Sequence, residues 1–121
     1  ALMKVRRPLK PGVDLYTYRA YPVSVTDGDT IWMVIDLGFG IIKEHLRLRG
    51  IDAPEITTRE GIRAKRFVER ELKKASQIII TSTKSDKYDR YLVDLFYVVD
   101  GKERFLNNRL LETGHAVRSQ Y

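Results

Sequence analysis

The chain has 121 residues, 43% of them hydrophobic, with 22 Lys and Arg against 16 Asp and Glu and a net charge of +6. That length suits one domain with a real core, and a basic domain of this size points to a polyanionic partner, of which nucleic acid is the commonest. Disulfides and thiolate metal sites are excluded because there is no cysteine, and no apolar run approaches the roughly 18 residues of a membrane-crossing helix.

Residues 1–15 read as a basic arm broken by Pro8 and Pro11, and residues 16–121 as the folded domain. The opening "ALMKVRRPLKPGV" has no apolar stretch of the kind a signal peptide needs, so a secreted mature form and a cytoplasmic protein both fit. From Tyr16, "YTYRAYPVSVT" is strand-like and runs into Asp27-Gly28, a tight-turn pair. "TIWMVIDL" follows as an apolar strand, "GFG" at 38–40 is a second turn, and "IIKEHLRLR" is a third strand. In that strand Leu46 and Leu48 alternate with Arg47 and Arg49, the mark of one buried and one exposed face. Asp52 and Glu55 then flank Pro54, whose ring stiffens the backbone beside them. A rigid carboxylate there suits a hard cation with oxygen ligands.

"GIRAKRFVERELKKA" is an amphipathic helix, with Ala64, Phe67, Val68, Leu72 and Ala75 inside and its charges outside. "QIIITST" returns to strand, "KSDKYDR" is a polar turn, and "YLVDLFYVV" is a fifth strand ending at the hairpin pair Asp100-Gly101. A short helix across Asn107–Thr113 closes the pattern, with Asn107 as its cap and Gly114 as its stop. Three strands, a helix, two strands and a helix predict a mainly β, α+β fold: a five-stranded oligonucleotide-binding (OB-fold) barrel with two helices.

Three clusters carry possible chemistry: "DGDT" at 27–30, "DAPE" at 52–55 and "DKYDR" at 86–90. Singly, each has a bland explanation, since turn aspartates usually cap backbone amides and a lone arginine at a strand start is usually a surface residue. In this order they resemble the staphylococcal (micrococcal) nuclease family, whose signatures are "DGDT", "R-x-x-x-x-D-[TA]-P-E" and "DKYxR". The resemblance covers residues 17–118, including Gly61, Ala64 and Phe67 in the helix and "LNNRLLETGHA" near the end.

The resemblance implies a calcium-dependent phosphodiesterase, an endonuclease-like hydrolase acting as a monomer on DNA or RNA. It assigns Asp29 and Asp52 as carboxylate ligands of Ca²⁺, Ala53 as a ligand through its carbonyl, and Asp27 just outside the ligand shell. It makes Glu55 the general base for the attacking water, and Arg47 and Arg90 the grip on the scissile phosphate. Lys43, His45 and Arg49 match no such role and read as surface residues. Two other readings stand beside it. One is a non-catalytic nucleic-acid-binding barrel that stacks bases on Tyr16, Tyr18, Trp32, Phe39 and Tyr97. The other is a protein-interaction module. The intact catalytic set argues against the first, and cleavage of single-stranded DNA with and without Ca²⁺ separates the enzyme from both.

Overall fold

A computed structural model of the chain describes residue 11, residues 16–85 and residues 91–120. The predicted arm (1–15), apart from Pro11, and the "DKYDR" turn with Arg90 lie outside the described residues. Ten elements follow in order: β1 (Thr17–Asp27), β2 (Thr30–Asp36), β3 (Ile41–Leu48), β4 (Ile51–Asp52), α1 (Arg59–Lys74), β5 (Gln77–Ser85), β6 (Tyr91–Val99), β7 (Lys102–Phe105), α2 (Leu106–Glu112) and β8 (Val117–Arg118).

Strands β3-β2-β1-β5-β6 are hydrogen-bonded in that order, and a parallel seam between β3 and β6 closes them into the five-stranded barrel. The seam pairs Leu46 with Tyr91, Arg47 with Leu92 and Leu48 with Val93. Short β7 extends the sheet beyond β6, and β4 pairs with β8 apart from the barrel. The sequence pattern did not mark these three small strands, because two to four residues are too few to display a period.

Alternation fills the interior. Ile31, Met33 and Ile35 of β2 point inward with Leu46 and Leu48 of β3, Ile78 and Ile80 of β5, and Val93, Leu95 and Tyr97 of β6, all nearly inaccessible. Tyr97 is 0% exposed, so it is a core residue and not a base-stacking one. The β6–β7 hairpin turns at Asp100 and Gly101, whose φ of 52° and 77° are the left-handed pair this tight turn demands.

Helix α1 begins two residues earlier than its apolar pattern, because Thr58 caps it: the Thr58 hydroxyl accepts from the Gly61 amide at 3.0 Å. Its buried face adds Glu71 to Ala64, Phe67, Val68 and Leu72. Glu71 is 4% exposed and collects the Tyr97 hydroxyl at 2.7 Å, Lys74 at 2.8 Å and Arg104 at 3.2 Å, with Arg109 at 3.9 Å. One carboxylate thus ties α1 to β6, β7 and α2. Burial alone would raise its pKa, but the bonds from Lys74 and Tyr97 and the charges of Lys74 and Arg104 outweigh it and hold the carboxyl below its ordinary 4.5. Glu71→Gln should therefore cost about 1–3 kcal/mol in urea unfolding at neutral pH, by leaving buried donors poorly matched. With the folded pKa depressed, this stability is present above about pH 4.5 and is lost as pH falls through the folded value. The variant and parent curves should converge in acid.

Asn107 does not cap α2. Phe105 occupies that position, without a side-chain bond, and Asn107 is buried inside the first turn. Its amide donates to the carbonyls of Arg49 and Val93 (2.9 and 3.1 Å), and its oxygen accepts from the Leu95 amide at 3.0 Å. It serves backbone groups just past the barrel seam, sharing the Val93 carbonyl with the Arg49 amide. A sequence pattern cannot separate this use of Asn from a cap, since both sit at a helix start.

Candidate active site

Asp27 and Asp29 bracket the β1–β2 turn. Asp27 Oδ1 accepts from the Asp29 amide at 3.1 Å, which fixes the turn. Gly28 is needed for a reason other than turning. Its φ is not positive, but a Cβ there would lie 2.7 Å from the Ala64 methyl of α1 and 2.8 Å from the Ala53 methyl. The turn is wedged against the helix and against the "DAPE" segment, which brings the two acidic motifs together.

Asp29 is 8% exposed. Its Oδ1 accepts from the Thr30 hydroxyl at 2.8 Å and its Oδ2 from the Ala53 amide at 2.9 Å, with Arg47 Nη2 3.5 Å away. Arg47 leaves the outward face of β3, opposite Thr30 on β2, and is 5% exposed. The same Nη2 makes a short ion pair with Asp52 Oδ1, and Nη1 donates to the Leu48 carbonyl at 3.3 Å. Asp52 is half exposed, and β8 holds its backbone through pairing with Val117. One guanidinium therefore bridges two carboxylates from different motifs.

The electrostatics follow from this packing. Burial would raise the Asp29 pKa, but bonds from Asp27, Ala53 and Thr30 and the charge of Arg47 outweigh it, so the carboxyl stays below its usual value. Asp27 is pushed up to about 6, by burial first and then by the bond to Asp29 and that group's charge.

Glu55 lies on the exposed exit of the segment. Its carbonyl accepts from the Thr58 amide at 2.9 Å and the Thr58 hydroxyl at 2.7 Å. Its backbone rests against the first turn of α1, where a Cβ on Gly61 would meet the Glu55 carbonyl oxygen at 1.9 Å. The structure thus gathers Asp27, Asp29, Arg47, Asp52 and Ala53 into one cluster, with Glu55 three residues beyond Asp52. Arg90 lies outside the described residues. Among the described residues, no group of three or more His, Cys, Asp or Glu side chains is close enough to hold a metal ion.

A sequence model of one family, described as staphylococcal nuclease homologue, matches residues 45–121. The chain belongs to the staphylococcal nuclease homologue family. The matched span contains Arg47, Asp52, Ala53, Glu55 and Arg90, whereas Asp27 and Asp29 precede it. This family member is also 32% identical, over 124 aligned positions, to "Uncharacterized protein MJ1439" of Methanocaldococcus jannaschii. The alignment covers 82% of the chain but 58% of that relative, so the chain spans little more than half its length. Membership suggests a nuclease-type or OB-fold nucleic-acid-binding function. No helix among the described residues is long and apolar enough to cross a membrane.

The residues given no role behave as surface groups with local partners. Arg49 pairs with Asp94 at 2.8 and 3.2 Å. His45 stacks on Trp32, with ring centroids 4.4 Å apart and planes within 9°, and its Nε2 lies 3.0 Å from the Thr26 hydroxyl. Gly28, Gly61 and Ala64 are what a reading by charge overlooks, although small residues beside both acidic motifs were the signal for a close approach.

Proposed function

We propose that this domain is a calcium-dependent nuclease, hydrolysing phosphodiester bonds of DNA or RNA as a monomer. The observation that supports it most is the bridge made by Arg47 between Asp29 and Asp52. Carboxylates that reach one nitrogen lie within the span of a single hard cation, and an all-oxygen donor set of Asp29, Asp52 and the Ala53 carbonyl fits Ca²⁺ with water completing its shell. Asp27 orients Asp29 through the turn. When bound, such an ion supplies charge stabilisation at a phosphoryl oxygen.

The chain's own groups would do the rest. Glu55 takes the proton of a water attacking phosphorus. Arg47 lies against both carboxylates, and a cation taking its place between them would release its guanidinium donors to the phosphate. Arg90 would grip the same phosphate. The test is cleavage of a short single-stranded DNA with Ca²⁺, with Mg²⁺ and with EDTA. Cleavage in Ca²⁺, little in Mg²⁺ and none in EDTA is the expected result, and equal rates in both ions would overturn the site.

The pH dependence has a definite sign. Ca²⁺ favours ionised Asp27, so its affinity should rise as pH passes about 6 and level off above. Calorimetric titration of Ca²⁺ between pH 5 and 7 checks this, and Asp27→Asn should flatten the profile. The folding contribution of Asp27 runs the other way: with its pKa raised, it is present in acid and lost as pH rises through about 6.

The Trp32–His45 stack, with Lys43 Nζ 5.6 Å from the Trp32 ring centre, favours a second reading, a barrel that binds nucleic acid without cutting it. Salt-sensitive DNA binding in EDTA with no cleavage in Ca²⁺ would select it.

A further inference from the structure

At the end of the barrel away from the β1–β2 turn, the start of β1, the end of β2, the start of β3, the end of β5 and the start of β6 line a mouth. It is a cavity of about 540 Å³ walled by Tyr16, Tyr18, Tyr91 and Glu44. Ile35, Leu46 and Ile80 form its floor. This size is ordinary for a small-molecule site, as is an apolar surface with few polar groups.

Three features set the mouth apart from an incidental gap. Glu44 pairs in register with Met33, which is 0% exposed, so its carboxylate stands on the interior face of the sheet above the core. Glu44 is half-buried there, and a carboxylate facing an apolar cavity favours a ligand that donates to it. Tyr16 has a φ of 53°, rare for a bulky residue, and the Ser82 amide donates to its carbonyl at 2.9 Å. The fold thus holds an aromatic residue at the rim in a costly conformation. Finally, Tyr91 and Leu46 form one rung of the barrel seam, and the next rung is Leu92 with Arg47. The mouth thus borders the strand that carries Arg47.

We propose that the barrel mouth is a base-binding subsite, which takes a nucleobase that donates N–H bonds to Glu44, guanine above all. The inference rests on the nucleic-acid reading of the domain. The tyrosines give a base aromatic faces, worth roughly 1–3 kcal/mol per stacked base in comparable sites. Guanine presents two adjacent N–H donors that match the two oxygens of one carboxylate, whereas thymine presents one donor between two carbonyl oxygens that a carboxylate repels. An organic cation would also suit tyrosines and a carboxylate, but a domain of net charge +6 repels cationic partners and attracts polyanions. Glu44 lies three residues before Arg47 on β3, about 10 Å at 3.3 Å per residue. The two side chains are on opposite faces of β3, so a base in the mouth belongs to a nucleotide flanking, and not carrying, a phosphate at Arg47. Its binding energy would make cleavage depend on the sequence beside the cut.

The test separates the subsite from the chemistry by using nucleosides, which carry no phosphate, in EDTA. Guanosine, cytidine and thymidine are titrated against the protein and followed by NMR. Guanosine should shift the resonances of Tyr18, Ile35, Ile80 and Tyr91 and bind at least tenfold tighter than thymidine. Glu44→Gln should erase that preference, and Tyr91→Ala should weaken all three nucleosides, with the fold of both variants checked by circular dichroism. In Ca²⁺, Glu44→Gln should shift cleavage of a mixed-sequence single strand away from guanine-flanked sites relative to thymine-flanked ones. Equal binding of the three nucleosides, or no binding, overturns the subsite even if the domain cleaves DNA. Binding of tetramethylammonium in place of nucleosides at the same residues overturns it in favour of a cation cage. Guanosine binding in the mouth of a protein that cuts nothing upholds the subsite and removes the nuclease reading.

Discussion

Glu55→Gln should lower kcat roughly 10²–10⁴-fold, the ordinary contribution of a positioned general base. The change keeps size and hydrogen-bonding capacity and removes only the proton acceptor. It should leave the segment in place, because the contacts that fix Glu55 are made by its carbonyl to Thr58. Substrate affinity should hardly move. Phosphodiester hydrolysis is so slow unassisted that a nuclease must lower the barrier by something near 20 kcal/mol, and a base supplies about 3–5 of that. The remainder falls to Arg47, Arg90 and the cation, through charge fixed in advance. Single-turnover cleavage of a short single-stranded DNA in saturating Ca²⁺ measures the effect free of product release. A Gln variant as fast as its parent would remove Glu55 from the mechanism and leave the fold untouched.

The second large effect is at a residue with no side chain. Gly61→Ala should destabilise the domain by about 2 kcal/mol or more, the usual scale of overpacking, although alanine in place of glycine favours a helix by about 1 kcal/mol. The added methyl would stand 1.9 Å from the Glu55 carbonyl oxygen and 2.5 Å from its carbon, and backbone cannot yield as a side chain can. Either α1 or the Glu55 segment must move. Because Thr58 both caps α1 and holds Glu55, the movement should reach the candidate base. We expect a lower urea midpoint together with a kcat loss that persists at temperatures where the variant is still folded. A stabilised variant with full activity would contradict the packing described.

Much of the barrel was legible because each long strand alternates cleanly and each turn carries its own chemistry, as at Asp100-Gly101. The acidic motifs and Arg47 were legible as residues, but their meeting was not, because it depends on Gly28 wedging between Ala53 and Ala64 across the fold. Asn107 misled for a related reason: its partners, Arg49 just after β3 and Val93 and Leu95 in β6, lie in segments it does not adjoin in sequence. Glu71 looked like one more charge on a solvated helix face, and only the assembled domain shows four polar partners converging on it. Glu44 escaped notice because a strand residue's side is decided by register, and a charged residue on the inner side breaks the pattern from which sides are read.

The seam between β3 and β6 has a consequence for the order in which the domain becomes competent. Arg47 gains its neighbours on β6 only when two distant stretches of chain have met, and Asp52 waits on β8, almost the last element. Contacts of such long range are the slow ones in folding. During synthesis, a chain that stops short of residue 91 has Asp29, Arg47, Asp52 and Glu55 but neither of the two pairings that fix Arg47 and Asp52. The machinery is spelled out early and armed last, so a half-made domain carries the residues of the site without its geometry.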